Sequence, residues 1–399
     1  MSGSLRILFC NFEYPPLGGG GGVVNALLAA ELAKRHEVTV LTSRGLGTPA
    51  ESTEDGVRVF RVPVLFRTKR ATANIPSMLA YLPMGAHAGK HLLRTTHYDI
   101  INTHFVLPSG PVGDALARYG HIPNVLSVHG GDVYDPSKWT SPHRHLLLRA
   151  WIRRLLRRAE RVVGQSRNTL ENMRQYYAPE IEGTRIPLGI RRPRVEASSR
   201  RQYGLDERDV LLVTVGRLVA RKAIDQLLRV MSRIASPNVY LLVLGAGPLG
   251  PALKEQAHRL GVDKRIRFLG HVDEREKIDI LQLSDIFVST SQHEGFGLVF
   301  LEAMASGLPV ICYDHGGQSD FLEHDRTGFV LPLNDELAFT EHCQRLISDQ
   351  SGRRRMGETN LRRVEEFFID RCAARYEGVF SEVIAQYRRA QQIGHSSSA

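Results

Sequence analysis

Residues 292–309 read QHEGFGLVFLEAMASGLP, and this stretch decides how the second half of the chain is expected to fold. The apolar run at residues 285–289 predicts a buried strand, and a helix is expected to begin near residues 296–298. Glu294 then lies in the loop between strand and helix, and Glu302 lies about one turn inside the helix.

This loop and helix start have the features of an anion-binding site. The first backbone N–H groups of a helix are unpaired, and the positive end of the helix dipole lies there. Gly295 and Gly297 let the backbone approach a ligand closely. Glu302 can accept hydrogen bonds from vicinal hydroxyls such as those of a ribose, and Glu294 can hold another polyol just outside. The alternative is a capped amphipathic helix with two incidental acids.

The bulk properties are those of a globular protein with two or three domains. The chain has 399 residues, of which 42% are hydrophobic and 24% charged, and it contains no run of eighteen apolar residues. The N-terminus does not have the shape of a signal peptide. The four cysteines are far apart, which predicts reduced thiols in a cytoplasmic protein and no zinc site. The formal net charge of +10 favours anionic partners.

Strands and helices alternate in two series, which predicts an α/β protein with two doubly wound parallel sheets. A stretch at residues 187–201 interrupts the alternation and is expected to be a linker. Ligands of such sheets bind at the carboxyl ends of the strands. The predicted strands lie at residues 5–12, 37–42, 99–103, 124–128 and 161–165 in the first series, and at 210–215, 239–244, 266–269, 286–289 and 310–312 in the second.

Arg217 and Lys222 follow the first strand of the second series. Two cations at a strand end can neutralise a diphosphate without a metal ion. Taken alone, such a pair is more often a solvated surface.

Residues 245–250 read GAGPLG, a literal G-x-G-x-x-G. A dinucleotide site requires this motif in the opening unit, with an acid ending the next strand, so Gly245 is interpreted as structural or near a nucleotide base.

The first series carries two further candidates. Residues 18–22 are five glycines before a predicted helix, and bare backbone there suits a phosphate or a sugar edge; a flexible turn is the alternative. His129 follows a predicted strand, and a neutral imidazole can exchange one hydrogen bond with a hydroxyl or phosphate oxygen. The alternative is a packed histidine. Asp132 and His104 are weaker candidates, His104 for the acceptor side.

The two glutamates eight residues apart, with EGFGL between them and EAMASGLPV following, resemble the signature of the retaining glycosyltransferases of family 4. The resemblance covers nearly the whole chain, with several motifs in the family's order. It implies the GT-B fold, in which two Rossmann-like domains face each other across a cleft. The expected domains are an acceptor-binding domain at residues 1–190, a nucleotide-sugar-binding domain at 191–370, and at 371–399 a helix that crosses back to the first domain. A disordered tail is expected at 394–399.

The resemblance also implies roles for single residues. The catalytic residues would be His129 near the transferred sugar, Arg217 and Lys222 at the diphosphate, and Glu294 at the sugar. The donor-binding residues would further include Gly19, Gly20, Gly245, Phe296, Gly297, Leu298 and Glu302, with Glu302 at the ribose. Two positions depart from the family pattern: Ala223 replaces the usual glycine after the lysine, and Asp320 replaces a glutamate.

The implied activity is transfer of a sugar from a UDP-, GDP- or ADP-sugar to an acceptor hydroxyl with retention of configuration. The family route is front-face, needs no cofactor and no metal, and uses the departing phosphate to help deprotonate the acceptor. Carbohydrate and lipid-linked acceptors both remain open. Two alternatives are a sugar-nucleotide epimerase of the same architecture, for which no acid–base carboxylates are identified, and a non-catalytic nucleotide-sugar-binding protein.

The segment between Arg144 and Arg161 holds seven arginines against one acid. It is either a basic amphipathic helix at an anionic membrane or a solvent-facing helix. The first interpretation would place a cytoplasmic protein on the inner face of the membrane. Nucleic acid is not expected as a partner, because no binding module is recognised and only 7% of residues are aromatic.

Overall fold

The computed structural model describes residues 3–45, 47–67, 74–136, 138–194 and 199–396. It divides into two compact units. The first unit comprises Met1–Arg191 together with Ile369–Ala399, and the second comprises Arg192–Phe368.

The described residues of the first unit form one eight-stranded sheet in the order β3-β4-β2-β1-β5-β6-β7-β8. All neighbouring strands are parallel except β3 and β4, which pair antiparallel at the edge. The elements in chain order are β1 (Arg6–Asn11), α1 (Gly20–Ala33), β2 (Glu37–Arg44), β3 (Glu51–Glu54), β4 (Val57–Pro63), α2 (Ile75–Thr95), β5 (Ile100–His104), α3 (Ser109–Gly120), β6 (Asn124–Val128), α4 (Leu146–Arg158), β7 (Arg161–Gly164), α5 (Arg167–Tyr176) and β8 (Thr184–Arg185).

In the second unit the described residues form a six-stranded parallel sheet in the order β11-β10-β9-β12-β13-β14. Its elements are β9 (Val210–Val215), α6 (Ile224–Arg233), β10 (Val239–Leu244), α7 (Gly250–Arg259), β11 (Ile266–Gly270), α8 (Glu274–Leu283), β12 (Ile286–Ser289), α9 (Leu298–Ala305), β13 (Val310–Tyr313), β14 (Gly328–Leu331), α10 (Glu336–Ser348) and α11 (Gln350–Arg363).

The central strands of both sheets are buried over most of their length because helices cover both faces of each sheet. The sequences ILFC in β1 and FVS in β12 are buried at every position, as expected for a doubly wound parallel sheet rather than for a sheet with one wet face. The strand order of the second unit has the doubly wound form in which the direction of winding reverses between its first and fourth strands. These two strands are β9 and β12, so the reversal lies in the middle of the sheet.

The last helix, α12 (Ile369–Ser396), packs on the first unit. Its apolar side, which includes Ala373, Val379 and Phe380, joins the same buried cluster as Phe9 of β1. Tyr376 of this helix hydrogen-bonds to a residue of β6 inside that unit.

The expectations for the C-terminal tail and for the linker are tested only in part. Helix α12 continues to Ser396, so the first three residues of the tail predicted as disordered are helical; residues 397–399 lie outside the described residues. Within the predicted linker, residues 195–198 also lie outside them, and a 3-10 turn begins at Arg200.

Candidate active site

The motifs of the second unit meet at the carboxyl ends of β9, β10, β12 and β13. A bound molecule in this kind of sheet lies outside the carboxyl ends at the reversal of winding, here between β9 and β12. Glu294 follows β12 and Arg217 follows β9. The loops after these strands are joined by direct contacts.

The predicted strand-to-helix element is confirmed. Helix α9 begins at Leu298, and Gly297 before it has φ 91°, a left-handed conformation that glycine adopts without strain. No side chain caps this helix start, so its first N–H groups are available to a ligand. Phe296 is buried and packs on Phe321 with ring centroids 5.2 Å apart. Only the backbone of Phe296, not its ring, is therefore available for the predicted donor contact.

Glu294 lies in a buried cluster of opposite charges. Lys222 binds its Oε1, Arg221 lies 3.2 Å from its Oε2, and the Ser291 hydroxyl donates to Oε1 at 2.7 Å. Burial alone would raise the pKa of Glu294, but the charges of Lys222 and Arg221 outweigh it and lower the pKa to about 2. Glu294 is thus a firmly ionised carboxylate with both oxygens engaged.

Arg221 is a residue of this cluster that the sequence argument missed. Its side chain also donates to the carbonyl of His293, and its own carbonyl accepts from the Gln292 N–H at 2.8 Å. Arg221 therefore fastens the turn after β9 to the loop that carries Glu294. The only local signal was its position next to Lys222.

Ala223 ends the 3-10 turn Ala220–Lys222 in a left-handed conformation, with φ 45° and ψ 42°. This is the position where the family has glycine, and the backbone shows why: a side chain there is strained by about 1 kcal/mol or more. The Thr290 hydroxyl donates to the Ala223 carbonyl at 2.8 Å and helps to hold the turn.

Only one of the two carboxylate oxygens of Glu302 accepts a hydrogen bond. Its Oε1 lies 2.9 Å from the Lys277 ammonium, which also binds Glu274 at 2.9 Å. Its Oε2 is buried and has no hydrogen-bond partner. Burial raises the pKa of Glu302, while Lys277 opposes that effect. A buried carboxylate oxygen without a donor costs free energy, and an arriving hydroxyl would remove that cost.

Arg217 is exposed, and within the described part of the chain its side chain makes neither a hydrogen bond nor an ion pair. The neighbouring glycines explain the shape of its loop. A Cβ on Gly216 would lie 2.9 Å from the Lys222 side chain, and a Cβ on Gly245 would lie 1.9 Å from the Gly216 carbonyl oxygen. The G-x-G-x-x-G segment therefore allows close packing of two loops. This agrees with its structural interpretation.

The loop after β13 also touches the loop of Glu294. The Gly317 N–H donates to the Glu294 carbonyl at 2.8 Å, and a Cβ on Gly316 would lie 2.1 Å from that carbonyl oxygen. Asp320 lies at the end of the 3-10 turn Gly317–Asp320, next to Phe321, which packs on Phe296.

In the first unit, the glycine loop leads directly into α1. Gly19 is the residue before the helix, no side chain caps the helix start, and α1 begins at Gly20. The Gly19 N–H lies 3.3 Å from a carboxylate oxygen of Glu13. Gly21 is required by its neighbour, since a Cβ there would lie 2.5 Å from the ring of Phe105. The loop thus brings bare backbone to the carboxyl end of β1.

His129 is held rigidly at the end of β6. Its ring stacks on Phe105 with centroids 4.3 Å apart, and Asp132 accepts from its backbone N–H at 2.8 Å. Its Nε2 lies 2.9 Å from Nδ1 of His104, whereas its own Nδ1 is buried without a partner. Burial lowers the pKa of His129 to about 4, against a smaller opposing effect of a hydrogen bond with the Gln165 side chain, so the imidazole is neutral near pH 7.

His104 does not fit the acceptor-side role predicted for it. It is buried, and both of its ring nitrogens are hydrogen-bonded, one to His129 and one to Asn102. Burial and the neighbouring His129 hold its pKa well below the usual value. His104 therefore orients the His129 ring through the hydrogen bond to its Nε2.

The basic segment forms α4, whose buried face of Ile152, Leu155 and Leu156 packs into the first unit. Several of its arginines bind the protein itself. Arg149 Nε donates to the Tyr176 carbonyl at 2.9 Å, and Arg157 lies 2.6 Å from Glu180. Much of the charge of this helix is thus used within the protein.

Neither a membrane span nor a metal-ligand cluster is found within the described ranges. None of the helices there is long and apolar enough to cross a bilayer. The same ranges contain no group of three or more His, Cys, Asp or Glu side chains that could hold a metal ion. All four cysteines are buried and unpaired.

Two family profiles match the chain in succession. Glycosyltransferase Family 4 matches residues 18–192, and Glycosyl transferases group 1 matches residues 195–363. The N-acetyl-alpha-D-glucosaminyl L-malate synthase of Bacillus anthracis is 26% identical over 388 residues, which cover 93% of this chain and 96% of that protein.

Solved structures share the fold. Sucrose-phosphate synthase from Thermosynechococcus elongatus matches with a TM-score of 0.83 and 23% identity, over 96% of this chain and 100% of that one. An Anabaena protein solved with UDP-glucose matches with a TM-score of 0.75 and 20% identity, over 95% of this chain and 100% of that one. The fold and the family profiles define the class, a glycosyltransferase enzyme. Within that class the chain belongs to the group 1 and family 4 glycosyltransferases, and its two parallel-sheet α/β domains have the GT-B fold.

Proposed function

We propose that this glycosyltransferase moves a sugar from a nucleoside-diphosphate sugar to an acceptor hydroxyl, with retention at the anomeric carbon and without a metal ion. One observation carries the donor assignment: Glu302 keeps a buried oxygen, Oε2, that has no hydrogen-bond partner. A ribose hydroxyl is a donor of the right kind for that oxygen. The Lys277 ammonium on the other oxygen keeps the carboxylate oriented for it.

The diphosphate would lie at the uncapped start of α9. The uncapped N–H groups after Gly297 and the helix dipole favour an anion there. Arg217, which has no anionic partner among the described residues, supplies a fork of donors for phosphate oxygens. Lys222 gives one N–H to Glu294 and retains two more for the phosphate.

Charge stabilisation of the leaving diphosphate is the main catalytic contribution in this proposal. As the bond between the sugar and the phosphate breaks, negative charge grows on the phosphate oxygens, and preorganised cations lower the energy of that state. Arg217 and Lys222 would take this role. The departing phosphate would then help to remove the proton of the acceptor hydroxyl on the same face of the sugar.

The state of Glu294 favours this front-face route over a covalent intermediate. A retaining enzyme with a carboxylate nucleophile needs a carboxylate oxygen free to attack the anomeric carbon. Both Glu294 oxygens are bound by Lys222, Arg221 and Ser291. We therefore assign Glu294 to fixing Lys222 and to contacting a sugar hydroxyl, and we assign His129 to another oxygen of the sugar.

The test is turnover of UDP-, GDP- and ADP-sugars in EDTA, with release of the nucleoside diphosphate followed by chromatography and the product anomer read by NMR. Transfer with an α-linked product from an α-linked donor supports the proposal. Loss of activity in EDTA would refute metal independence. Isomerisation of the donor without an acceptor would favour the epimerase alternative, and binding without any turnover would favour the binding-protein alternative.

We further propose a membrane contact made by exposed apolar side chains near α4 rather than by the arginines that bind the protein itself. Leu146 and Leu147, the first residues of α4, are 76% and 87% exposed, and Trp139 in the loop before this helix is 77% exposed. Exposed aromatic and aliphatic side chains beside basic residues suit an anionic lipid interface. This patch, together with the exposed Arg154, is a better candidate than the arginines that bind the protein itself.

A further inference from the structure

A chain of buried polar side chains runs behind His129 in the first unit. It begins on α12 with Tyr376, whose hydroxyl lies 3.0 Å from that of Ser127 on β6. Ser127 lies 3.5 Å from Oδ1 of Asn102, and Asn102 Nδ2 lies 2.9 Å from Nε2 of His104. His104 Nδ1 then lies 2.9 Å from Nε2 of His129. All five residues are buried.

The donors and acceptors of this chain fix the proton positions on both imidazoles. The Asn102 Nδ2 group can only donate, so His104 Nε2 must accept. A neutral His104 then carries its proton on Nδ1 and donates it to His129 Nε2. A neutral His129 must in turn carry its proton on Nδ1, which makes no close hydrogen bond, although the Gln165 side chain also interacts with this imidazole and favours its protonated form. Burial lowers the pKa of both imidazoles, so both are neutral near pH 7.

If every donor and acceptor along these hydrogen bonds were exchanged, each group would still have a partner except the hydroxyl of Tyr376. If the Asn102 amide were reversed, His104 and His129 would carry their protons on Nε2, and Ser127 would donate to Tyr376. The phenol proton of Tyr376 would then lack an acceptor, because Ser127 is its only hydrogen-bond partner among the described residues. This side chain is only 2% exposed, so the lost hydrogen bond would not be replaced by water.

We propose that Tyr376 is a positioning residue that sets the tautomer of His129, so that Nδ1 of His129 presents an N–H donor rather than an acceptor. The phenol donates to Ser127 and thereby orders each following hydrogen bond toward His129. The ligand group would be an oxygen of the donor, either a sugar hydroxyl or a phosphate oxygen, and this part rests on the proposed function. A residue of α12 thus determines whether Nδ1 of His129 can donate a hydrogen bond to a ligand.

The test reads the tautomer directly, in the ligand-free protein, from two-bond ¹⁵N–¹H NMR spectra of histidine-labelled samples. The sequence has 16 histidines, so the signals of His129 are assigned by their loss in a His129→Gln variant. We expect His129 in the Nδ1–H form in the parent protein. Tyr376→Phe removes the phenol that favours this form, and a population of the Nε2–H form should appear.

Asn102→Asp provides a second, stronger variant. A carboxylate there can only accept, so His104 must donate from Nε2; in a neutral His104 the Nδ1 atom then accepts and the whole chain reverses, whereas a protonated His104 is recognised by its imidazolium signals in the same spectra. His129 should then change to the Nε2–H form. The matched control is Tyr98→Phe, because Tyr98 is another buried tyrosine of the same unit whose hydroxyl lies outside this chain of hydrogen bonds. It should leave the spectrum of His129 unchanged.

The effect of Tyr376→Phe on turnover of the sugar donor is a second, independent test. A donor hydrogen bond of ordinary strength that is partly lost should lower kcat/KM for the sugar donor about 2- to 10-fold in Tyr376→Phe, with no change in Tyr98→Phe. An Nε2–H tautomer of His129 in the parent protein, or an unchanged tautomer in both Tyr376→Phe and Asn102→Asp, would overturn the proposal. If the parent protein shows the Nδ1–H form but turns over no donor, the tautomer assignment stands and the proposed function fails.

Discussion

Replacing Glu302 with glutamine should weaken nucleotide binding through a single oxygen atom. The variant keeps the shape of the side chain, and its amide oxygen can still accept from Lys277, as Oε1 does in the parent at 2.9 Å. The amide NH₂ then takes the place of Oε2, the buried oxygen without a partner. A ribose hydroxyl that donates to Oε2 in the parent protein would lose this charge-assisted hydrogen bond and could keep at most a weaker neutral one, by accepting from the amide.

The size of the loss follows from the kind of bond. One hydrogen bond to a charged group contributes about 1.5–3 kcal/mol, which corresponds to about a 10- to 150-fold rise in Kd. The assay is isothermal calorimetry with the nucleoside diphosphate that the protein prefers among UDP, GDP and ADP. The 2′,3′-dideoxy form of the same nucleotide should bind parent and Glu302→Gln equally, since neither can make the missing bond.

Glu274→Gln is the matched control. Glu274 contacts the same Lys277 ammonium at 2.9 Å, but its side chain is 77% exposed. This variant should bind the nucleotide almost as tightly as the parent. The reasoning is refuted if Glu302→Gln binds the nucleotide normally, or if the ribose and dideoxy forms lose the same affinity.

Four other outcomes are expected. Lys222→Ala should lower turnover about 10²- to 10³-fold, as for loss of one preorganised charge partner, and near-normal turnover would contradict its role. Glu294, with its pKa lowered from 4.5 to about 2, contributes stability that is complete above about pH 4.5 and is lost as the pH falls toward 2. The difference in unfolding free energy between the parent and Glu294→Gln should therefore shrink by about 2 kcal/mol between about pH 6 and about pH 3, and a constant difference in urea titrations would count against the ion pairs. Ala223→Gly should raise the unfolding free energy by about 1 kcal/mol in urea, because it removes strain at a left-handed position, and a loss of stability would show that no strain is present. Leu146→Ser with Leu147→Ser should reduce co-sedimentation with anionic liposomes while leaving soluble turnover intact, and no binding by the parent protein would end the membrane proposal.

The motif at residues 292–309 could be interpreted from the sequence because its structure depends on neighbouring residues only. A buried strand, a loop with two glycines and a helix start at Leu298 follow from apolar runs and glycine positions within about twenty residues. Glu294 and Glu302 could therefore be placed on the loop and on the helix before the fold was known. Of the strands at the ends of the sheets, β11 was predicted, but β3, β8 and β14 were not, because β3 is short and polar, β8 has two residues and β14 has four.

The partners of these acids could not be predicted because they come from distant parts of the chain. Lys277 lies 25 residues before Glu302, and nothing near either residue indicates their contact. One signal was present: Lys277 shares the buried face of α8 with Ile280 and Leu281, an unusual place for a lysine without an anionic partner.

The histidine network shows the same limit. His129 was a candidate because it follows a strand, but its tautomer depends on Tyr376, which lies 249 residues beyond Ser127 in the sequence. Only the packing of α12 on the first unit brings that phenol to β6. Conversely, the departure at Ala223 was visible in the sequence, whereas its left-handed backbone, and hence the strain, required the structure.

Calorimetric titration of UDP, GDP and ADP in buffer with EDTA tests the central claim most directly. The account predicts that one of the three binds with a Kd that EDTA leaves unchanged, and that Arg217→Ala weakens this binding. Binding of none of them, or binding that appears only when a divalent metal ion is added, would contradict the proposed donor site.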